Sequence, residues 1–130
     1  MAHPNEDLVR EGFAAFRRGD MDALRNQFFT DDIRYHVPGR SVLSGDYEGT
    51  GQVLQFFGRI FELTGGTFSF ELHDVLANDE HAVSLFTIRG EREGKQLNDN
   101  TIQIFHFRDG KVSEVWAYQT DQYAVDEFYS

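Results

Sequence analysis

The second half of the chain constrains the fold most, because residues 67–118 read as four consecutive strands. Segments 67–76, 81–91, 96–108 and 111–118 alternate and are separated by Ala77-Asn78-Asp79-Glu80, by Glu93-Gly94 and by Asp109-Gly110. An Asp-Gly pair between alternating runs is a strong hairpin signal. Around Val83, Leu85, Phe86, Ile104, Phe105 and Phe107 both parities of these strands are largely apolar. A meander buried on one side only should carry a polar face. One face is therefore expected to meet helices and the other a second subunit, which predicts a homodimer.

The first half supplies the helices. Asn5 is a plausible N-cap, after which Leu8, Val9, Phe13 and Phe16 recur at helical spacing. Gly19 is placed to end this helix, and Asp20 to cap a second, short one with Ala23, Leu24, Gln27 and Phe28 on one stripe. Residues 33–37 alternate as a strand, with Ile33, Tyr35 and Val37 on one face and Arg34 and His36 on the other. Residues 40–51 read as a loop. A third helix follows over about 52–63, with Val53, Phe56, Phe57, Ile60 and Phe61 as its apolar stripe. Residues 121–130, acidic and aromatic, are either a frayed tail or a flap over a pocket.

Length and composition narrow the class. At 130 residues the chain suits a single domain, 1–130, with about two-thirds of its surface buried on folding. Its 40% hydrophobic and 26% charged content argues against disorder. Thirteen Phe exceed what a minimal core needs, so a cavity or an oligomer interface is expected. A net charge of −10 disfavours nucleic acid, which demands a Lys/Arg footprint. No run approaches the length of a membrane span, and the first residues lack the basic and apolar regions of a leader, so no membrane association and a cytoplasmic location are expected. Cys is absent, which leaves no disulfide, thiol nucleophile or thiolate metal site.

The order helix, helix, strand, helix, then four antiparallel strands resembles the nuclear transport factor 2-like fold. Local strings sharpen the likeness. Tyr35-His36-Val37-Pro38-Gly39 with Leu43-Ser44-Gly45-Asp46-Tyr47-Glu48-Gly49, then Leu72-His73-Asp74-Val75-Leu76-Ala77-Asn78-Asp79, then Phe107-Arg108-Asp109-Gly110-Lys111-Val112-Ser113-Glu114-Val115-Trp116 are similar to landmarks of SnoaL-like proteins. The resemblance covers nearly the whole chain. It implies an α+β cone in which about three N-terminal helices pack on a strongly curved, mixed but mainly antiparallel sheet, with a site inside the cone. This fold hosts isomerases, cyclases, hydrolases, dehydratases and proteins with no catalysis, so it does not name a reaction.

Ketosteroid isomerases, relatives by this resemblance, use a carboxylate base facing a Tyr and a protonated Asp. Those positions correspond here to Val37, to Gly12 or Phe13, and to Phe105, so steroid isomerisation is disfavoured. SnoaL-type cyclases use an acidic residue just after the last strand, which makes Asp121 the candidate base for proton abstraction next to a carbonyl. His36 is the second candidate, as proton donor or as a group orienting a carbonyl. Phe13, Tyr35, Tyr47, Phe57, Trp116 and Tyr118 are candidates for an aromatic wall, and Arg89 and His106 for polar groups reaching it. His3, His36, His73, His81 and His106 are scattered, with no pair four residues apart, so no metal is expected. No phosphate-binding loop is present either, and no cofactor is expected. The reading is a small-molecule enzyme or binder with a Phe-rich cone for an apolar, carbonyl-bearing or polycyclic compound. Any chemistry would be cofactor-free acid–base work. The alternatives are a non-catalytic binding protein and a dimeric assembly module.

Overall fold

A computed structural model describes residues 2–130. In chain order it comprises α1 (Pro4–Arg18), α2 (Met21–Ala23) running into a π-turn (Leu24–Phe28), β1 (Phe29–Val37), β2 (Gly45–Glu48), α3 (Gly49–Leu63), β3 (Ser69–Ala77), β4 (His81–Arg92), β5 (Lys95–Arg108), β6 (Lys111–Gln119) and α4 (Gln122–Phe128). The strands form one sheet in the order β2-β1-β6-β5-β4-β3. Only the central β1–β6 pair is parallel; the other pairs are antiparallel. This is the expected α+β cone with a mixed sheet, although a sixth strand and a fourth helix join it.

Turn chemistry places the long strands. Glu93-Gly94 and Asp109-Gly110 both hold positive φ at both residues, 52° and 78° in the first pair and 54° and 76° in the second. These are tight hairpin turns whose twist matches that of the flanking strands. Register shifts at Leu72/Asp74 in β3, at His106/Phe107 in β5 and at Phe29/Arg34 in β1 interrupt the ladders. Such bulges bend a strand and increase its twist, which curls the sheet around the helices.

Several boundaries depart from the sequence reading. The N-cap of α1 is His3 rather than Asn5: Pro4 occupies the first turn, and the His3 ring accepts the Asn5 N–H at 3.0 Å. Helix α3 starts at Gly49, three residues early, because the Gln52 side chain turns back to accept the Glu48 N–H at 2.9 Å. Residues 45–48, read as loop, pair with Arg34 to Val37 as an edge strand. Residues 121–130 are not frayed: Asp121 caps α4, and Val125, Phe128 and Tyr129 are buried.

The core lies between α1, α3, the π-turn and the concave sheet face. Val9, Val53, Ile33, Val112 and Val115 are fully buried there. Helix α1 approaches the π-turn so closely that a Cβ on Gly12 would lie 2.3 Å from the Phe28 ring. Among the described residues no helix is long and apolar enough to cross a membrane.

Candidate functional site: an apolar cavity in the cone

Strand alternation decides what the cavity contains. On β1 the inward parity carries Ile33, Tyr35 and Val37, so Tyr35 faces the helices and His36 faces away. On β5 the inward residues are Thr101, Gln103 and Phe105; on β6 they are Val115, Ala117 and Gln119. Register sets Gln103 opposite both Ser84 and Ala117, and Thr101 opposite Gln119. A short polar strip therefore crosses an otherwise apolar concave wall.

The cavity has a volume of about 140 Å³. Phe13 and Phe16 of α1, Phe56 and Phe57 of α3, and Phe86 and Phe105 of the sheet are among the residues that line it. Their rings pack mainly edge to face: Phe16 meets Phe57 at 5.0 Å and 85°, and Phe13 meets Phe86 at 5.1 Å and 66°. Such contacts hold the rings rigid and add to the stabilisation from burial. One end is covered by the segment after β1, through Pro38, Ser41 and Leu43, and by α4, through Gln122, Val125 and Tyr129. The two covers are joined where the Arg40 N–H donates to Asp126 at 3.1 Å. Of the two expectations for the C-terminal segment, the covering one matches the structure.

The polar strip is bonded internally. The Ser84 hydroxyl donates to Gln103 Oε1 at 3.3 Å, and Gln103 Nε2 donates to the Tyr35 hydroxyl oxygen. The Thr101 hydroxyl donates to Gln119 Oε1 at 2.7 Å. Burial holds the Tyr35 phenol well above its ordinary pKa, a rise that the Gln103 hydrogen bond only partly offsets. Burial likewise pushes Tyr129 up to about 12, against a small opposing effect of Arg92. Both phenols are neutral at physiological pH. No Asp, Glu, His, Lys or Arg is among the residues that line the cavity.

The candidates from the sequence divide between the cavity and other places. Phe13, Tyr35 and Phe57 line the cavity. Tyr47 stands behind the wall, stacked on Phe56 at 4.7 Å, and donates to the Leu43 carbonyl at 2.7 Å. Asp121 is exposed and accepts the Ala124 N–H at 3.1 Å as a helix cap. Arg89 lies on the convex face and pairs with Glu71 at 3.3 Å. His36, His106, Trp116 and Tyr118 share that outer face. There His36 stacks on Trp116 at 5.3 Å, and His106 meets the same indole at 4.6 Å. Each His36 ring nitrogen lies 2.7 Å from a carboxylate, Nδ1 from Asp46 and Nε2 from Glu114. Both contacts favour the protonated ring, in which both nitrogens donate. Partial burial opposes that charge, but the two carboxylates outweigh it and raise the His36 pKa above the ordinary imidazole value. The geometry thus separates Asp121 and His36 from the cavity and from each other.

Sequence reasoning missed Thr101, Gln103 and Gln119. A signal was present: on β5 the parity of Thr101, Gln103 and Phe105 is the more polar one, yet the opposite parity carries Ile102 and Ile104. Polar groups facing helices mark a site rather than a solvated face.

The SnoaL-like domain family model matches residues 9–115, most of the chain. The chain belongs to the SnoaL-like domain family. An uncharacterised Mycobacterium tuberculosis protein is 32% identical over 125 residues, 95% of both chains. The solved structure of Bal32a, from a soil-derived mobile gene cassette, is 37% identical and superposes with a TM-score of 0.93, covering 98% of this chain and 97% of that one. An NTF2-like protein from Burkholderia xenovorans, 20% identical, has a TM-score of 0.83 over 98% of this chain and 96% of its own, a likeness of fold. The architecture is thus the nuclear transport factor 2-like fold.

Proposed function

We propose that this SnoaL-like chain binds a neutral, largely apolar small molecule about one ring in size inside the cone. The observation that carries this reading is the make-up of the wall: packed Phe rings, a few neutral polar groups and no charged side chain. Apolar cavities with a small number of placed polar groups are the usual form of a ligand site. The volume of about 140 Å³ suits a single ring, since an engineered apolar cavity of about 150 Å³ accepts benzene. A polycyclic ligand would require α4 to move. General acid–base catalysis has no support from the wall, because its only ionisable groups, Tyr35 and Tyr129, are phenols held protonated. Binding without turnover is therefore the reading favoured over isomerase or cyclase chemistry.

Calorimetric titration with toluene and with benzoate tests this. Toluene should bind. Benzoate, of similar shape, should bind at least about a hundredfold more weakly, because its charge would be buried without a partner. Equal affinity for the two, or no affinity for toluene, would remove the basis of the reading.

We further propose that a second copy of the chain covers the convex sheet face. Support comes from the apolar character of that face: Ile102, Tyr118 and Leu76 are exposed there, with Val83, Leu85, Ile104 and Trp116 half-buried beside them. A two-fold pairing of the same patch is the commonest closed assembly. Sedimentation equilibrium should give about twice the 15.0 kDa chain mass, and a monomer at tens of micromolar would contradict it.

A further inference from the structure

The two covers at the end of the cavity are held in different ways. Helix α4 is fixed to the long strands at both ends. At its start the Thr120 N–H donates to the Asn100 carbonyl at 3.1 Å, and the Asp121 N–H to Asp99 at 3.3 Å. At its end Lys95 donates to the Glu127 carbonyl at 2.9 Å, Arg92 donates to the Ser130 main-chain oxygen at 2.8 Å, and Phe128 is fully buried. Residues 38–44 are bonded mainly to themselves. The Ser44 hydroxyl donates to the Pro38 carbonyl and accepts the Ser41 N–H, both at 2.8 Å. The Leu43 N–H donates to the Ser41 hydroxyl at 3.1 Å, and the Ser44 N–H to the Ser41 carbonyl at 3.1 Å. The ends of this segment meet, because Val37 and Gly45 are register partners on β1 and β2. A self-bonded loop with joined ends is a compact unit of its own. Gly39 and Gly45, at φ 91° and 139°, stand near its two ends, where a backbone rotation meets the least steric resistance.

Among the described residues only two hydrogen bonds lead outward from residues 38–44. The Arg40 N–H donates to Asp126 of α4 at 3.1 Å, and the Tyr47 hydroxyl donates to the Leu43 carbonyl at 2.7 Å. On the inner side Leu43 is 3% exposed and lines the cavity, while its neighbour Val42 is 50% exposed. Displacing a helix or a strand of the wall would break many backbone hydrogen bonds. Displacing this loop breaks two and withdraws one buried side chain.

We infer that residues 38–44 are a lid through which small molecules enter and leave the cone, with Leu43 as its plug and Asp126 and Tyr47 as its latches. This rests on the pocket reading above and assigns the way into that same site. Neither latch side chain lines the cavity, so each acts on opening alike whether the cavity is empty or filled. Entry and exit then change together and the affinity stays the same.

Fluorine-19 exchange NMR with 4-fluorotoluene on the full chain tests this, because it measures association and dissociation rates separately. Asp126→Ala removes one latch, and Tyr47→Phe removes the other while keeping its ring against Phe56. Each should raise both rates about two- to tenfold, the net worth of one hydrogen bond, with Kd within about twofold of wild type. Lys95→Ala, which loosens the end of α4 and not the loop, should leave both rates unchanged. If Asp126→Ala does not fold, Tyr47→Phe decides. Binding with unchanged rates in both latch variants, an equal acceleration in Lys95→Ala, or a faster exit alone with weakened affinity would each overturn the lid and leave the pocket reading standing. No binding of 4-fluorotoluene to wild type would overturn both.

Discussion

The two faces of β5 differ in a direction opposite to simple expectation. Its concave side carries Thr101, Gln103 and Phe105 against the helices; its convex side carries Ile102, Ile104 and His106 away from them. In a one-sided sheet the apolar parity faces the core. Here the polar parity faces in because the interior contains a cavity with a bonded polar strip. The apolar parity faces out across a patch that includes exposed Ile102 and Tyr118. The charges follow the same division. The His36 ring and its two carboxylates lie on the convex side, and the residues that line the cavity on the concave side are neutral. Hydrophobic parity alone therefore assigns strands but not faces; buried neutral amides and hydroxyls mark the inner one.

The largest effect that separates the faces is expected at Phe57, on the concave side. It is 6% exposed and packs against the rings of Phe16, Phe29 and Tyr35. Phe57→Ala should cost about 3–5 kcal/mol in denaturant unfolding, and an unchanged midpoint would contradict the assigned packing. A smaller effect is expected at Asp121. As a helix cap its replacement by Ala should cost about 0.5–2 kcal/mol, whereas Asn, an equally good cap, should be within a few tenths of wild type. A desolvated base in the cavity wall would behave differently, with Asp121→Asn abolishing an activity that this geometry does not support.

The smallest effect belongs to the convex side. The folded-state pKa of His36 is raised, so the stability it contributes is fully present below the unfolded value of about 6.5 and is lost as pH rises through the folded value. The groups facing it are Asp46 of β2, Glu114 of β6 and the Trp116 ring. Compared with His36→Gln, wild type should be more stable by under about 1 kcal/mol near pH 6, and the difference should vanish at alkaline pH. A difference that grows with pH would mean that the ring is neutral and its bonding is not as described.

Much of this was legible in the residues. Asp109-Gly110 and Glu93-Gly94 delimit β4, β5 and β6 because their turns depend on local chemistry. The α1 and α3 stripes are long enough for periodicity to show. Edge strand β2 was not legible, since four mostly exposed residues in a Gly-rich segment carry no period and gain their structure from pairing with β1. The choice between Tyr35 and His36 was open because both residues suit a site; neighbouring Ile33 and Val37, on the Tyr35 parity, hold the answer. The polar strip was invisible for a different reason. Thr101, Gln103 and Gln119 are far apart in sequence or unremarkable in type, and only the β4–β5–β6 register brings them together.

The central claim is that the ligand sits on the concave side. Intermolecular nuclear Overhauser effects between toluene and the protein test it directly. Cross-peaks should run from the toluene methyl to the rings of Phe13, Phe57 and Phe86 and to the Tyr35 ring, with none to Trp116, Ile102 or Ile104. Cross-peaks confined to the convex residues would contradict the account, and would make the outer patch rather than the cone the site of small-molecule binding.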